Sequence, residues 1–538
     1  MRIGVDVGGT NTDAVLMRDK EVLATAKFPT SADVAGGMVG AIRAVLDNSG
    51  VAPGNIRNVM VGTTQFINAF IERKHLSDVA VMRIALPMTA GIPPMVDWPD
   101  DLRRSINSHV YMIKGGCYYT GQDYIQLDEQ AILAAAGDIK RNGIQSVALT
   151  SIFSPIRPDI EERAATLIRS VLPGISISLS HQLGSLNLIE RENACIINAS
   201  LLDLSRNVIA SFRQSLKALN ITADLYVTQN DGTLMRADFA EQYPVMTCSA
   251  GPTNSMRGAG FLSDLDEALV IDIGGTSTDV GFLKHGFPRE TIDANEVGGV
   301  RTNFNMPDVL SIGLGGGSII SSNGSLSVGP ESVGNRLLQA ARVFGGQTLT
   351  ATDIAVALGQ CELGDKTRLD NLPQQVMAAA IDEIHLKLGA AIDRMKTSAR
   401  AAPAILVGGG HILLSRTPCG VSEIYRPEHA SVANAIGAAM AQVGARIKRI
   451  VDYSALGREA TIEKLSAEAS KMVARAGGIA DTAKVVEIEE MPMTHIQNNA
   501  VSLKIRAIGD LAPAGISSDD AGMDARRAAT GGESGLEA

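Results

Sequence analysis

Cysteine is scarce in this chain. The five present (Cys117, Cys195, Cys248, Cys361 and Cys419) are widely spaced and form no CxxC pair. That argues against a disulfide framework, a zinc ribbon or a clustered iron–sulfur ligand set, and it fits a reducing compartment. Aromatic residues make up only 4% of the chain, too few for a base-stacking surface. A long basic run is also missing, and the net charge is −10, which speaks against nucleic acid and anionic membrane as partners. No apolar stretch reaches the roughly 20 residues that span a bilayer. The opening MRIGVDVGGT reads as a strand rather than the apolar centre of a signal peptide. The expectation is a soluble, cytoplasmic protein. What the chain does have is apolar residues, 45% of 538 positions, enough for two to four domains with ordinary cores.

The pattern alternates between strands and helices. Ile3, Val5 and Val7 alternate toward a buried strand, Gly8–Gly9 end it, and a second strand over 12–17 follows at once, as in a hairpin. Helices are expected over 31–48, 128–142, 158–171, 186–219, 431–447 and 457–476, and strands over 79–86, 146–153, 175–180 and 225–232. Residues 480–511 carry two short strand patterns. From Ala512 the chain turns to Gly, Ala, Ser and Asp, the composition of a disordered tail.

One octet occurs twice, DVGGTNTD at 6–13 and DIGGTSTD at 272–279, each after a short apolar run. A turn with two glycines can reach positive φ and leave its N–H groups facing outward, and such concave arrays bind phosphate oxygens. Thr and Ser hydroxyls add donors, and an Asp at the strand end can hold hydrated Mg²⁺. The pair suggests a duplicated fold clamping the phosphates of a nucleotide from both sides. The candidate donors are Gly8, Gly9, Thr10, Asn11 and Thr12 on one side and Gly274, Gly275, Thr276, Ser277 and Thr278 on the other. Asp6 and Asp272 are the candidate metal ligands and catalytic carboxylates. A third glycine cluster, Gly408, Gly409 and Gly410 after an apolar strand, would let adenosine lie against bare backbone. Neither octet is a GxxxxGK[ST] loop or a GxGxxG fingerprint.

The set GVDVGGTNTDAVL, VGTTQFINAF, IERENACIINASLL, VIDIGGTSTDVGFL, IGLGGGSI, LVGGGH and ANAIGAA resembles the hydantoinase/oxoprolinase family, its HyuA-type subunit, within the actin/sugar-kinase/Hsp70 ATPase superfamily. The resemblance covers about residues 1–445. It implies an α/β protein of duplicated actin-like, ribonuclease-H-like ATPase lobes with a cleft between them and a small C-terminal subdomain. The expected divisions are an N-terminal lobe over 1–185, a second lobe over 186–450, the subdomain over 451–511 and the tail over 512–538. It also implies ATP-dependent ring opening of a cyclic amide such as a hydantoin, 5-oxoproline or a lactam, with ATP and Mg²⁺ as cofactors. A second, separately encoded subunit or self-association is the implied partnership. The alternatives are a small-metabolite kinase on the same scaffold, and a non-catalytic or ATP-independent subunit with a degenerate nucleotide cleft. Leu310 stands where larger members carry a His.

Other residues are weighed individually. Asp308 precedes a Gly-rich turn and is a candidate base or Mg²⁺ ligand. Thr63, Thr64 and Asn68 resemble a family turn near the cleft, though helix capping explains them equally well. Arg191 could approach substrate as a bidentate donor, or could start a charged helix. His411 could touch base or substrate, or hydrogen-bond locally. Cys248 has no evident His partner and reads as a buried structural thiol.

Overall fold

The computed structural model describes residues 1–8, 11–29, 34–291, 295–321, 326–454, 456–493 and 500–512. Gly9, Thr10 and the expected tail from 513 lie outside the described residues.

The two octets become two hairpins of the same design. Arg2–Val7 pairs antiparallel with Asn11–Arg18, with Asp6 opposite Asp13. Ala268–Ile273 pairs antiparallel with Thr278–Lys284, with Asp272 opposite Asp279. Gly8 N donates to Asn11 O at 3.1 Å and Gly274 N to Ser277 O at 2.9 Å, so the turns close by the same bond. Each hairpin then gains an antiparallel neighbour on one side. Glu21–Pro29 joins the first, and Phe287–Pro288 and Val309–Ile312 join the second. On the other side each gains two parallel strands, Asn58–Thr63 and Asp224–Thr228 in the first, Ala402–Val407 and Val421–Tyr425 in the second. Both halves therefore carry the strand order of the actin-like, ribonuclease-H-like fold.

Between the strands of the first half lies an inserted parallel sheet, ordered His109–Lys114, Val79–Leu86, Ser146–Ser151 and Ser176–Leu179. The expected divisions at 185 and 450 differ from sheet membership. Asp224–Thr228 and Leu234–Arg236 belong to the first sheet, and Val443–Asp452, Lys484–Pro492 and Ala500–Gly509 extend that sheet to nine strands. Short strand patterns do not carry the identity of the sheet they join. The helix expected over 431–447 is only Ala433–Met440. Val443, Ile447, Leu503 and Ile505 are buried along the Val443–Asp452 and Ala500–Gly509 pair instead, and pairing outweighs the helical propensity of the alanines. Among the described residues no helix is long and apolar enough to cross a membrane.

Two helices join the halves. Ala250–Ser263 lies against the second sheet and Ala433–Met440 against the first, and they pack on each other. They meet through glycine. A Cβ on Gly258 would lie 1.8 Å from Ala433 O, and one on Gly437 1.9 Å from Asn254 O. Gly4 admits the second helix onto the first strand in the same way, 2.1 Å from Ala435 O.

Gly258→Ala or Gly437→Ala forces backbones apart, so each is expected to lower stability by at least the ~1–3 kcal/mol of an overpacked core. Gly389, in the Gln374–Met395 helix, has open space where its Cβ would go, so Gly389→Ala is expected to be neutral or stabilising by about 0.5–1 kcal/mol. Urea denaturation of the three variants checks both expectations.

Candidate active site

The crossing helices carry Asn254 and Asn434 to the end of the first hairpin. Asn254 Nδ2 donates to Asp6 Oδ1 at 3.2 Å. Asn434 Nδ2 bridges Asp6 Oδ2 and Asp13 Oδ2, both at 3.0 Å. Gly62, on the adjoining parallel strand, leaves room for this. A Cβ there would sit 2.1 Å from Asn254 Nδ2 and 2.5 Å from Asp6 Oδ1. Asp13 is in turn paired with Lys27 Nζ at 2.7 Å.

The second hairpin brings Asp272, whose carboxyl the Ser255 hydroxyl of the first connecting helix favours in its ionised form, and Asp279, which accepts from Ser311. The carboxylates sense one another. Burial pushes Asp6 up to about 7, and repulsion from Asp13 and Asp272 adds to it while the two asparagines oppose it. Asp272 is raised by burial and by Asp13. Asp279 is pushed up to about 6 by burial, with Asp272 adding to it. The carboxylates of the two hairpins thus act on one another, and negative charge is in excess where they do, as a cation site requires.

The second turn is braced from behind. Gly316 N donates to Gly274 O at 3.0 Å and Gly317 N to Gly275 O at 2.7 Å. The Thr278 hydroxyl donates to Leu314 O at 2.6 Å and is buried, so its proton serves the bracing loop. Gly275, Thr276 and Ser277 stay exposed at the tip. Gly408 and Gly410 press on the same hairpin. A Cβ on Gly408 would meet Asp272 Oδ1 at 2.2 Å, and Gly410 N donates to Ile273 O at 2.7 Å. Of the triglycine, Gly409 is the exposed one with open space beside it. Asn11 and Thr12 follow the first turn, Thr12 buried and Asn11 partly so.

Other residues singled out in the sequence fall as follows. Thr63 is buried and its Oγ1 accepts from Gln65 N at 3.2 Å, a local turn bond before the helix. Thr64 accepts from Asn68 Nδ2 at 3.3 Å and adjoins Gly251 in the first turn of the Ala250–Ser263 helix. His411 Nδ1 bonds Gly408 O at 2.9 Å, which anchors the triglycine turn. Burial pushes Cys248 up to about 12, an inert thiol.

Two further candidates, each also open to a structural reading, are engaged by other groups. Asp308 is bound by Arg289 Nε at 2.9 Å and Nη2 at 2.6 Å. It sits before Val309, which pairs with Gly281, at the end of that strand away from the Gly274–Ser277 turn. Arg191 is fully buried, and its guanidinium is spent on Ser180 Oγ, Ser151 O, Ser185 O and Leu186 O, at 2.7 to 3.0 Å. It knits the inserted sheet to the Leu188–Ala218 helix and presents nothing to a substrate. Sequence reading missed Asp13, Asp279, Lys27, Asn254 and Asn434. The two Asp residues were in view as the last letter of each octet. Asn434 lies in the ANAIGAA motif and Asn254 in none of those quoted, and only the helix crossing aims them.

Fold and site together define a two-lobed α/β protein of actin-like fold, with aspartates at equivalent places on its two hairpins. The hydantoinase/oxoprolinase N-terminal region matches residues 2–172 and the hydantoinase/oxoprolinase region residues 191–367. The chain belongs to the hydantoinase/oxoprolinase family. It is 26% identical over 424 residues to the caprolactamase subunit alpha of Pseudomonas jessenii, covering 73% of this chain and 60% of that one. It is 26% identical over 395 residues to the acetophenone carboxylase gamma subunit of Aromatoleum aromaticum, covering 66% and 53%. The chain thus spans little more than half the length of these relatives. The crystal structure of ATP-dependent caprolactamase from Pseudomonas jessenii superposes with a TM-score of 0.71 at 19% identity, over 95% of this chain and 88% of that one. At that identity the likeness is one of fold.

For the cation-free chain, the raised Asp6, Asp272 and Asp279 act with one sign. The folded state keeps protons that the unfolded chain releases, so stability falls as pH rises from about 4 toward 7. Asp6→Asn is expected to raise the Tm at pH 7.5 and to flatten this slope. Thermal melts in EDTA between pH 5 and 8 check it; an unchanged slope with a lower Tm contradicts it.

Proposed function

We propose that the protein opens a cyclic amide, such as a hydantoin, 5-oxoproline or a lactam, at the expense of ATP. It would do so as one subunit of a complex. The observation that carries the reading is the pair of equivalent hairpins, the first with its Asp6 carboxylate held by both connecting helices. Its support is the family membership and the subunit names of the relatives.

The donor set fits Mg²⁺. Among the described residues no group of three or more His, Cys, Asp or Glu side chains is arranged to cage a metal. Mg²⁺ asks for less, one or two carboxylates with water and phosphate making up the rest. Asp6 and Asp272 would hold it, and it would neutralise phosphate charge. The exposed Gly275, Thr276 and Ser277 would cradle phosphate oxygens, and Gly409 would leave room for the adenosine. Gly8, Gly9, Thr10 and Asn11 are assigned the matching role on the first hairpin.

The ring opening follows from the substrate's chemistry. The amide oxygen attacks the terminal phosphorus and ADP leaves. Water adds to the activated carbon, and the C–N bond breaks as nitrogen takes up a proton. A second water hydrolyses the resulting acyl phosphate to the acid and inorganic phosphate. The protein's part is positioning and charge neutralisation. Asn254 and Asn434 fix the Asp6 carboxylate in place for that role.

The test is ADP and phosphate release with MgATP across hydantoin, 5-oxoproline and small lactams, with and without the neighbouring encoded subunit. Release stimulated by one ring, and lowered by at least ~100-fold in Asp272→Asn, is the expected result. ADP with a stable phosphorylated product would instead indicate a kinase, and no turnover under any condition would refute the reading.

A further inference from the structure

The two hairpins share their turn bond, their register and their paired aspartates, so the position at which they differ is informative. On the neighbouring antiparallel strand, the residue facing the second Asp of the octet is Lys27 in the first half and Ser311 in the second. The positions are equivalent and the chemistry is not. Ser311 holds Asp279 with one hydroxyl. Lys27 places an ammonium 2.7 Å from Asp13 Oδ1, and its charge also acts on Asp272 of the other hairpin.

The second half shows that a hydroxyl suffices to hold this carboxylate in place. Asp13 moreover already accepts from Asn434 Nδ2 at 3.0 Å. A lysine is thus more than the hairpin architecture requires. Its side chain is 40% exposed while that of Asp13 is 6% exposed, so the ammonium is anchored at one oxygen and open on the other side. An ammonium is a compact charge with three donors on a flexible stem. It can keep its carboxylate partner and still reach a second anion.

We propose that Lys27 binds the terminal phosphate of the nucleotide, the group that is transferred, while the exposed Gly275–Ser277 turn holds the inner phosphates. This rests on the ATP-dependent reading above and assigns the two unequal hairpin ends to unequal ends of the triphosphate. Lys27 would draw charge from the phosphoryl oxygens as the bond to the leaving oxygen breaks, the role that cations fill in phosphoryl transfer. The bland competitor is that Lys27 only compensates the Asp13 charge.

The experiment compares MgATP and MgADP binding by calorimetry in the full chain, in Lys27→Met and in the double variant Lys27→Met/Asp13→Asn. Each variant's fold is checked by its thermal melt. Lys27→Met is expected to weaken MgATP by at least ~10-fold while MgADP changes by less than ~3-fold, and the double variant is expected to show the same loss. Three results would overturn the proposal: equal weakening of both nucleotides, no weakening of either, or recovery of MgATP binding in the double variant, which would reduce Lys27 to a counter-ion. Failure of the unaltered chain to bind either nucleotide would instead remove the ATP-dependent reading, and this assignment with it.

Discussion

Two helix backbones touch where the halves of the molecule meet, and the site depends on that contact. Side chains at Gly258 and Gly437 would collide with the carbonyls of Ala433 and Asn254. Without them the helices approach closely enough for Asn254 and Asn434 to reach the same carboxylate, Asp6. The asparagines come from opposite helices, one packed on each sheet. A shift of either half therefore changes how Asp6 is held. The crossing is a structural joint and the holder of the Asp6 carboxylate at the same time.

The electrostatics follow from that geometry. The paired hairpins place Asp6, Asp272 and Asp279 partly out of water, with the charge of Asp272 acting on the other two. Left alone, such a cluster destabilises the fold, because burial and like charge both oppose ionisation. The asparagines, Ser255, Ser311 and Lys27 relieve only part of it. A divalent cation carrying phosphate would relieve the rest, so the cluster's cost in the free protein is a counterpart of its affinity for that ligand.

Much of this was legible in the sequence because it is local. The repeated octet, the glycine turns and the strand periodicity depend on neighbours in the chain, and they led to two matching hairpins and to Asp6 and Asp272. What was not legible depends on distant pairing. Nothing around Arg191 announces that Ser151 of the inserted sheet and three oxygens of the segment after it await its guanidinium, or that Arg289 will occupy Asp308. Asn254 and Asn434 lie 248 and 428 positions from Asp6, so only the helix crossing reveals their task. The strand at Val443–Asp452 reads as helix until its partner at Ala500–Gly509 is known.

The central claim is that both hairpins serve one ligand. A double-mutant cycle on MgATP affinity with Asp6→Asn, Asp272→Asn and the combined variant tests it most directly. The account predicts strong non-additivity, the combined loss being much smaller than the sum of the single losses. Strictly additive losses, or an effect from only one of the two aspartates, would mean that the hairpins do not share a ligand and would contradict the account.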